Sequence, residues 1–128
     1  MKYILILASI LGAFAVALGA YGSHGLTRIA PEHLVTLFNL GVQYQFYHCF
    51  ALLGCGLLWP FAHHKLLVAS SLSFVLGMAG FSGTLYVYAI TSVKPFGLIT
   101  PIGGSLLILG WILMCVAIIV GNREERSL

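Results

Sequence analysis

Gln43-Tyr44-Gln45-Phe46-Tyr47-His48 packs five residues with polar tips into six positions, inside a chain that is otherwise almost uninterrupted hydrocarbon. Reading outward, the apolar run containing this stretch extends from Pro31 to Pro60. A helix of that length is about 43 Å long, whereas the hydrocarbon core of a bilayer is about 30 Å thick. Its first turns, with Asn39 and Gly41, are expected to project into the headgroups or bend there, while Trp59 marks the opposite interface. Counting back from Pro60 puts residues 43 to 48 about 18 to 25 Å from that end, in one leaflet.

Composition sets the class. Hydrophobic residues make up 60% of the 128 and charged residues 7%, against about 25% charged in soluble domains. No water-facing shell can be built from the remainder, so the chain reads as a membrane protein whose main partner is the lipid bilayer. The only acids are Glu32, Glu124 and Glu125, all outside the long apolar runs. Carboxylate proton relays and metal sites within the bilayer are thereby disfavoured. Six scattered basic residues form no run that could follow nucleic-acid phosphates, so no nucleic acid is expected as a partner. Cys49, Cys55 and Cys115 have neither disulfide nor zinc spacing and read as small buried hydrophobes.

Four apolar spans follow, over about residues 3–22, 34–59, 66–91 and 101–121, giving a single all-α domain, a four-transmembrane-helix bundle occupying 1–128. The first span could also be a signal peptide. A membrane helix fits better, because Ala8, Gly12, Ala15, Gly19 and Gly22 form a flank of small residues that a disposable leader would not need. Ser70, Ser73, Gly77, Gly80 and Thr84 repeat such a seam in the third span. The first and third helices are therefore expected to pack together through Gly12 and Gly19 against Gly77 and Gly80. Gly22-Ser23-His24-Gly25 reads as a helix stop and turn, and Pro31 with Glu32 as the first turn of the second helix. Phe61 to Lys65 reads as an interfacial turn, Lys94 to Gly97 as the last connector, Thr100 and Pro101 as the start of the fourth helix, and Asn122 to Arg126 as solvated charge.

Lys2, Lys65, Arg123 and Arg126 fall on one side of four alternating spans, and Arg28 and Lys94 on the other. The positive-inside bias puts both termini in the cytoplasm of a cell with the chain in its inner membrane. In the outward half, His24, Gln43, Gln45, Tyr47, His48, Ser82, Thr84, Tyr86 and Thr100 then converge. On a helix, Gly41, Gln45 and His48 share one face, with Asn39, Gln43 and Tyr47 on a second stripe.

Three readings of this convergence stand side by side. The plain one is interhelical glue, polar tips bonded to the helix next door. The second is an outward-facing pocket or vestibule for a small molecule around Gln45 and His48, which would make the protein a carrier or channel. The third, a haem or metal site, would need His24 as a second ligand beside His48. No cofactor, metal or catalytic residue is assigned, and an enzyme ranks last, because no nucleophile, base and orienting carboxylate can be assembled inside the spans.

Four segments also carry a resemblance: Gly22-Ser23-His24-Gly25-Leu26, residues 43–48, Phe81-Ser82-Gly83-Thr84-Leu85-Tyr86, and Thr100-Pro101-Ile102-Gly103-Gly104. Together, and in this order, they resemble the signatures of the small bacterial inner-membrane proteins grouped as domain of unknown function 423, similar to a mitochondrial transmembrane protein of animals. Where that family usually has alanine, this chain has Ser23. The resemblance implies a four-helix membrane protein and brings no activity. A non-enzymatic structural or accessory membrane module, as a homo-oligomer or part of a larger complex, is the leading expectation, with the carrier or channel as the alternative.

Overall fold

The structure, a computed structural model, describes residues 1–94 and 97–121. Pro95 and Phe96 of the expected last connector, and the charged tail from Asn122 with the Arg123 and Arg126 used in the orientation count, lie outside the described residues. All regular structure among the described residues is helical. Helix α1 spans Lys2–Ser23 and α2 Glu32–Leu57, joined through a single 3-10 turn at Leu26–Arg28. The third rod is composite: α3 (His64–Met78) passes through a π-helical turn, Ala79–Gly83, into α4 (Thr84–Thr91). Helix α5, Ile99–Val120, completes a bundle of four rods.

Each boundary has a local cause. Pro31 sits in an extended conformation just before α2, and its carbonyl accepts from the Leu34 and Val35 amides, with Glu32 in the first turn where the helix dipole favours an acid. His63 caps α3, its Nδ1 accepting from the Leu66 amide at 3.3 Å. Ser92 ends α4 with a left-handed φ of 59°, donating its amide to Tyr88. The expected start of the last helix at Thr100 and Pro101 is corrected. Helix α5 begins before Thr100, which lies inside it and turns its hydroxyl to another helix.

Three rods are long and apolar enough to cross a membrane: Lys2–Arg28, His64–Thr91 and Ile99–Val120. Helix α2 has 26 residues, and it is the stretch from Gln43 to His48 that holds it below the same apolar standard. Within the bundle α1 lies antiparallel along α2, and α5 antiparallel along α3. Helix α2 also crosses α3 and α4, but barely touches α5.

This pairing corrects the expected contact of the first helix with the third. Gly77 is covered by Leu107 of α5, and Gly80 lies against the backbone of Gly103 in the same helix. A methyl group on Gly103 would run into the backbone of Gly80 and the amide of Phe81. Gly19 instead faces Val42 of α2, and a methyl group on Gly12 would meet nothing within 4 Å. The small residues are real points of close approach in the third rod, yet their mates are on the fourth, and the π-helical turn sits at that crossing. The main core gathers Leu52, Cys55, Leu67, Phe74, Leu107 and Ala117, and a smaller cluster around Leu26, Leu34 and Phe38 closes the end near the first connector.

Candidate functional site

Helix α2 is the hub of the polar contacts between helices. One helical turn apart on its buried face, Gln45 and His48 are both nearly inaccessible. Gln45 donates from Nε2 to the Leu11 carbonyl of α1 at 2.9 Å, and its Oε1 accepts the Tyr86 hydroxyl of α4 at 2.6 Å. One amide therefore ties three helices, because it carries both donors and an acceptor. Next to it, the Ser82 hydroxyl in the π-helical turn donates to the Gly41 carbonyl at 2.6 Å. A side chain at Gly41 would collide with Tyr86, so the absence of one lets α4 come this close.

His48 is held from both ring nitrogens. Nδ1 lies 2.6 Å from the Tyr44 carbonyl, which can only accept, so Nδ1 carries a proton. Trp111 of α5 approaches Nε2 at 3.1 Å with its indole N–H, which can only donate, so Nε2 presents its lone pair. The imidazole is thus neutral and fixed in one tautomer. Phe74 packs against both His48 and Trp111, at ring separations of 5.6 and 5.3 Å, and reaches them because Gly110 leaves room for its ring.

Between the third rod and α5 the same chemistry recurs. Thr84 and Thr100 share a hydroxyl hydrogen bond of 2.7 Å, Ser73 donates to the Leu106 carbonyl at 2.6 Å, and Ser70 donates to the Gly110 carbonyl at 2.7 Å. With the Ser70 proton so committed, the Cys55 thiol 3.5 Å away is the donor to its oxygen. Most acceptors are backbone carbonyls already in a helix, using their second lone pair.

Of the residues named from sequence, Gln45, His48, Ser82, Thr84, Tyr86 and Thr100 are brought into these contacts. His24 is not. It is exposed in the turn after α1, where its carbonyl accepts the Thr27 hydroxyl. It cannot join His48 in a two-histidine site, and coordination through Nε2 of His48 would displace Trp111. Gln43 and Tyr47 also stand apart: both are exposed on the outside of α2, bonded to each other through the Gln43 amide and the Tyr47 hydroxyl at 2.5 Å. Asn39, on the same stripe, turns inward to the Gly22 carbonyl at 3.4 Å. Sequence reasoning missed Trp111. Its signal was its position, about 18 Å into an apolar helix, where tryptophan is out of its usual interfacial place.

Where α2 and α5 splay apart, a groove of about 670 Å³ opens on the side of the bundle. Tyr44, Tyr47 and His48 of α2 and Gly104, Ile108 and Trp111 of α5 line it.

The family model described as "Protein of unknown function (DUF423)" matches residues 18–104, which include α2, the π-helical turn and the start of α5. The chain belongs to the DUF423 family. Similar DUF423 relatives are a UPF0382 membrane protein of Staphylococcus aureus, 38% identical over 91% of this chain and 95% of its own, and the UPF0382 membrane protein YwdK of Bacillus subtilis, 36% identical over 91% and 96%. The UPF0382 inner membrane protein YgdD of Escherichia coli is 34% identical over 98% of this chain and 96% of its own. No solved structure matches this DUF423 chain. It is an all-α membrane protein, as its sequence implies.

Proposed function

We propose that the protein is a non-enzymatic structural or accessory module of the inner membrane, crossing it four times with both termini in the cytoplasm. The observation that carries this reading is saturation. Among the described residues, no buried side-chain nitrogen or oxygen lacks a hydrogen-bond partner, and Gln45, His48, Ser73 and Ser82 spend their polar groups on neighbouring turns and helices. A group poised for chemistry or transport keeps a donor or acceptor open to its substrate; these are used in holding helices. The inner-membrane name of the E. coli relative supports the location, and the four-to-two distribution of Lys and Arg supports the orientation. Helix α2 crosses as well, since Gln45 and His48 point inward and Gln43 bonds to Tyr47, and its neighbours on two sides are apolar rods long enough to span.

Tags at each terminus test the topology: both are expected to label only after the cells are opened, and labelling of either from outside refutes it. Native mass spectrometry of His48→Ala and Gln45→Leu separates module from carrier. Loss of thermal stability with no change in bound small molecules is expected. Normal stability with loss of a bound molecule would favour the second reading, a small-molecule carrier or channel. The groove beside His48 is what speaks for that reading, with Gln45 outside it.

A further inference from the structure

The outer face of α2 carries a polar pair where lipid should be. Leu57 closes the helix near the interface marked by Trp59, and Gln43 lies 14 positions earlier, about 21 Å along the axis. In a hydrocarbon core of about 30 Å that leaves it well below the opposite headgroups. Gln43 gives one amide hydrogen to Tyr47. Its other N–H, its Oε1 and the Tyr47 hydroxyl hydrogen have no partner among the described residues, and acyl chains offer none.

These groups continue into a pattern. Gln43, Tyr47, Phe50, Gly54 and Leu57 follow one another at steps of four, three, four and three, the spacing of a coiled-coil seam. Tyr47, Phe50 and Leu57 are 50%, 62% and 66% exposed, so these three lie outside the bundle, while Gly54 among them faces Met114 of α5. Phe50 is steadied by stacking on Phe46, with rings 5.3 Å apart.

We propose that this seam is the contact between two copies of the chain, with α2 against α2 about a two-fold axis along the membrane normal. The occupant follows from the chemistry left over. Each copy offers spare donors from the amide and the phenol and a spare amide acceptor, so the set is complementary to itself. Two copies with the same topology must run their α2 helices parallel, and a two-fold axis then sets Gln43 opposite Gln43 and Phe50 opposite Phe50. A single polar layer in an otherwise apolar seam fixes register and pairing. The proposal deepens the module reading by naming its partner, and it rests on α2 crossing the membrane.

The test uses the full chain in phosphatidylethanolamine and phosphatidylglycerol vesicles, with energy transfer between labelled copies read across a range of protein-to-lipid ratios. A dimer is expected, and Gln43→Leu should raise its dissociation constant at least tenfold without changing the thermal unfolding of the monomer, since Gln43 is exposed and its hydrogen bond stays within α2. In a Cys115→Ser background, Phe50→Cys should cross-link to itself under oxidation and Ile119→Cys, exposed on α5, should not. A monomer at every ratio, an unchanged dimer for Gln43→Leu, or cross-linking at Ile119→Cys but not Phe50→Cys overturns the proposal. So does a different protein or a lipid-soluble small molecule found at Gln43. The terminal tags report separately on the span, so correct topology with no dimer rejects the pairing alone.

Discussion

Replacing Gly103 with alanine adds one methyl group at the tightest crossing in the bundle. The added carbon would lie 2.5 Å from the Gly80 carbonyl carbon and 2.9 Å from its Cα, both backbone atoms that no rotamer change can move. Restoring a normal carbon contact of about 3.5 to 4 Å requires α5 to move back by about 1 Å. Overpacking of this kind typically costs about 1 to 3 kcal/mol. The retreat also stretches the Thr84–Thr100 and Ser73–Leu106 hydrogen bonds, now 2.7 and 2.6 Å, each worth about 0.6 kcal/mol in membrane proteins. A loss of about 2 to 4 kcal/mol is expected. Two controls isolate the cause: Gly12→Ala, with nothing within 4 Å, and Gly104→Ala, whose methyl would make an ordinary 3.6 Å contact with the Phe81 ring. Both should keep wild-type stability within about 1 kcal/mol, the scale of the helix-propensity difference between glycine and alanine. Equilibrium unfolding in mixed micelles reads all three. If Gly103→Ala is as stable as Gly104→Ala, the two backbones do not meet there and the assignment of the seam to α5 is wrong.

Nitrogen NMR of the His48 ring should find the proton on Nδ1 and none on Nε2; a proton on Nε2 or a charged ring at neutral pH contradicts the Trp111 contact. Trp111→Phe should cost about 1 kcal/mol, by stranding that lone pair, and should leave the Nδ1 proton in place. Gln45→Leu and Tyr86→Phe should show a coupling of about 0.6 to 2 kcal/mol in a double-mutant cycle, whereas additive losses would mean that the amide and phenol do not bond.

Much of the fold was legible because lipid imposes length and apolarity on each segment, and the breaks at Pro31, Pro60 and Lys94 stand out against them. The polar face of Gln45 and His48 followed from helical spacing. Their partners did not, for a physical reason: Leu11, Gly41, Leu106 and Gly110 take part through carbonyls, which every residue possesses, so nothing in their side chains announces the role. The pairing of seams was lost in a similar way. Gly77 and Gly80 say that something comes close, but Leu107 and Gly103 answer them through shape, which local spacing does not encode. Gln43 and Tyr47 share the polar stretch with Gln45 yet face outward, since consecutive helical positions diverge by about 100° and only the neighbours decide which face is inside.

The arrangement of α1 along α2 and of α5 along α3 bears on how the chain is made. The Gln45–Leu11 bond and the packing of Phe38 onto Gly22 lie wholly within the first 57 residues. During synthesis that hairpin can close before the third rod emerges, already carrying the amide oxygen that will later receive Tyr86. The second hairpin has its own internal ties at Ser70, Ser73 and Thr84. The two hairpins then meet along α2, which packs on the third rod and reaches α5 chiefly through His48 and Trp111, a latch that two separately closed halves can form last.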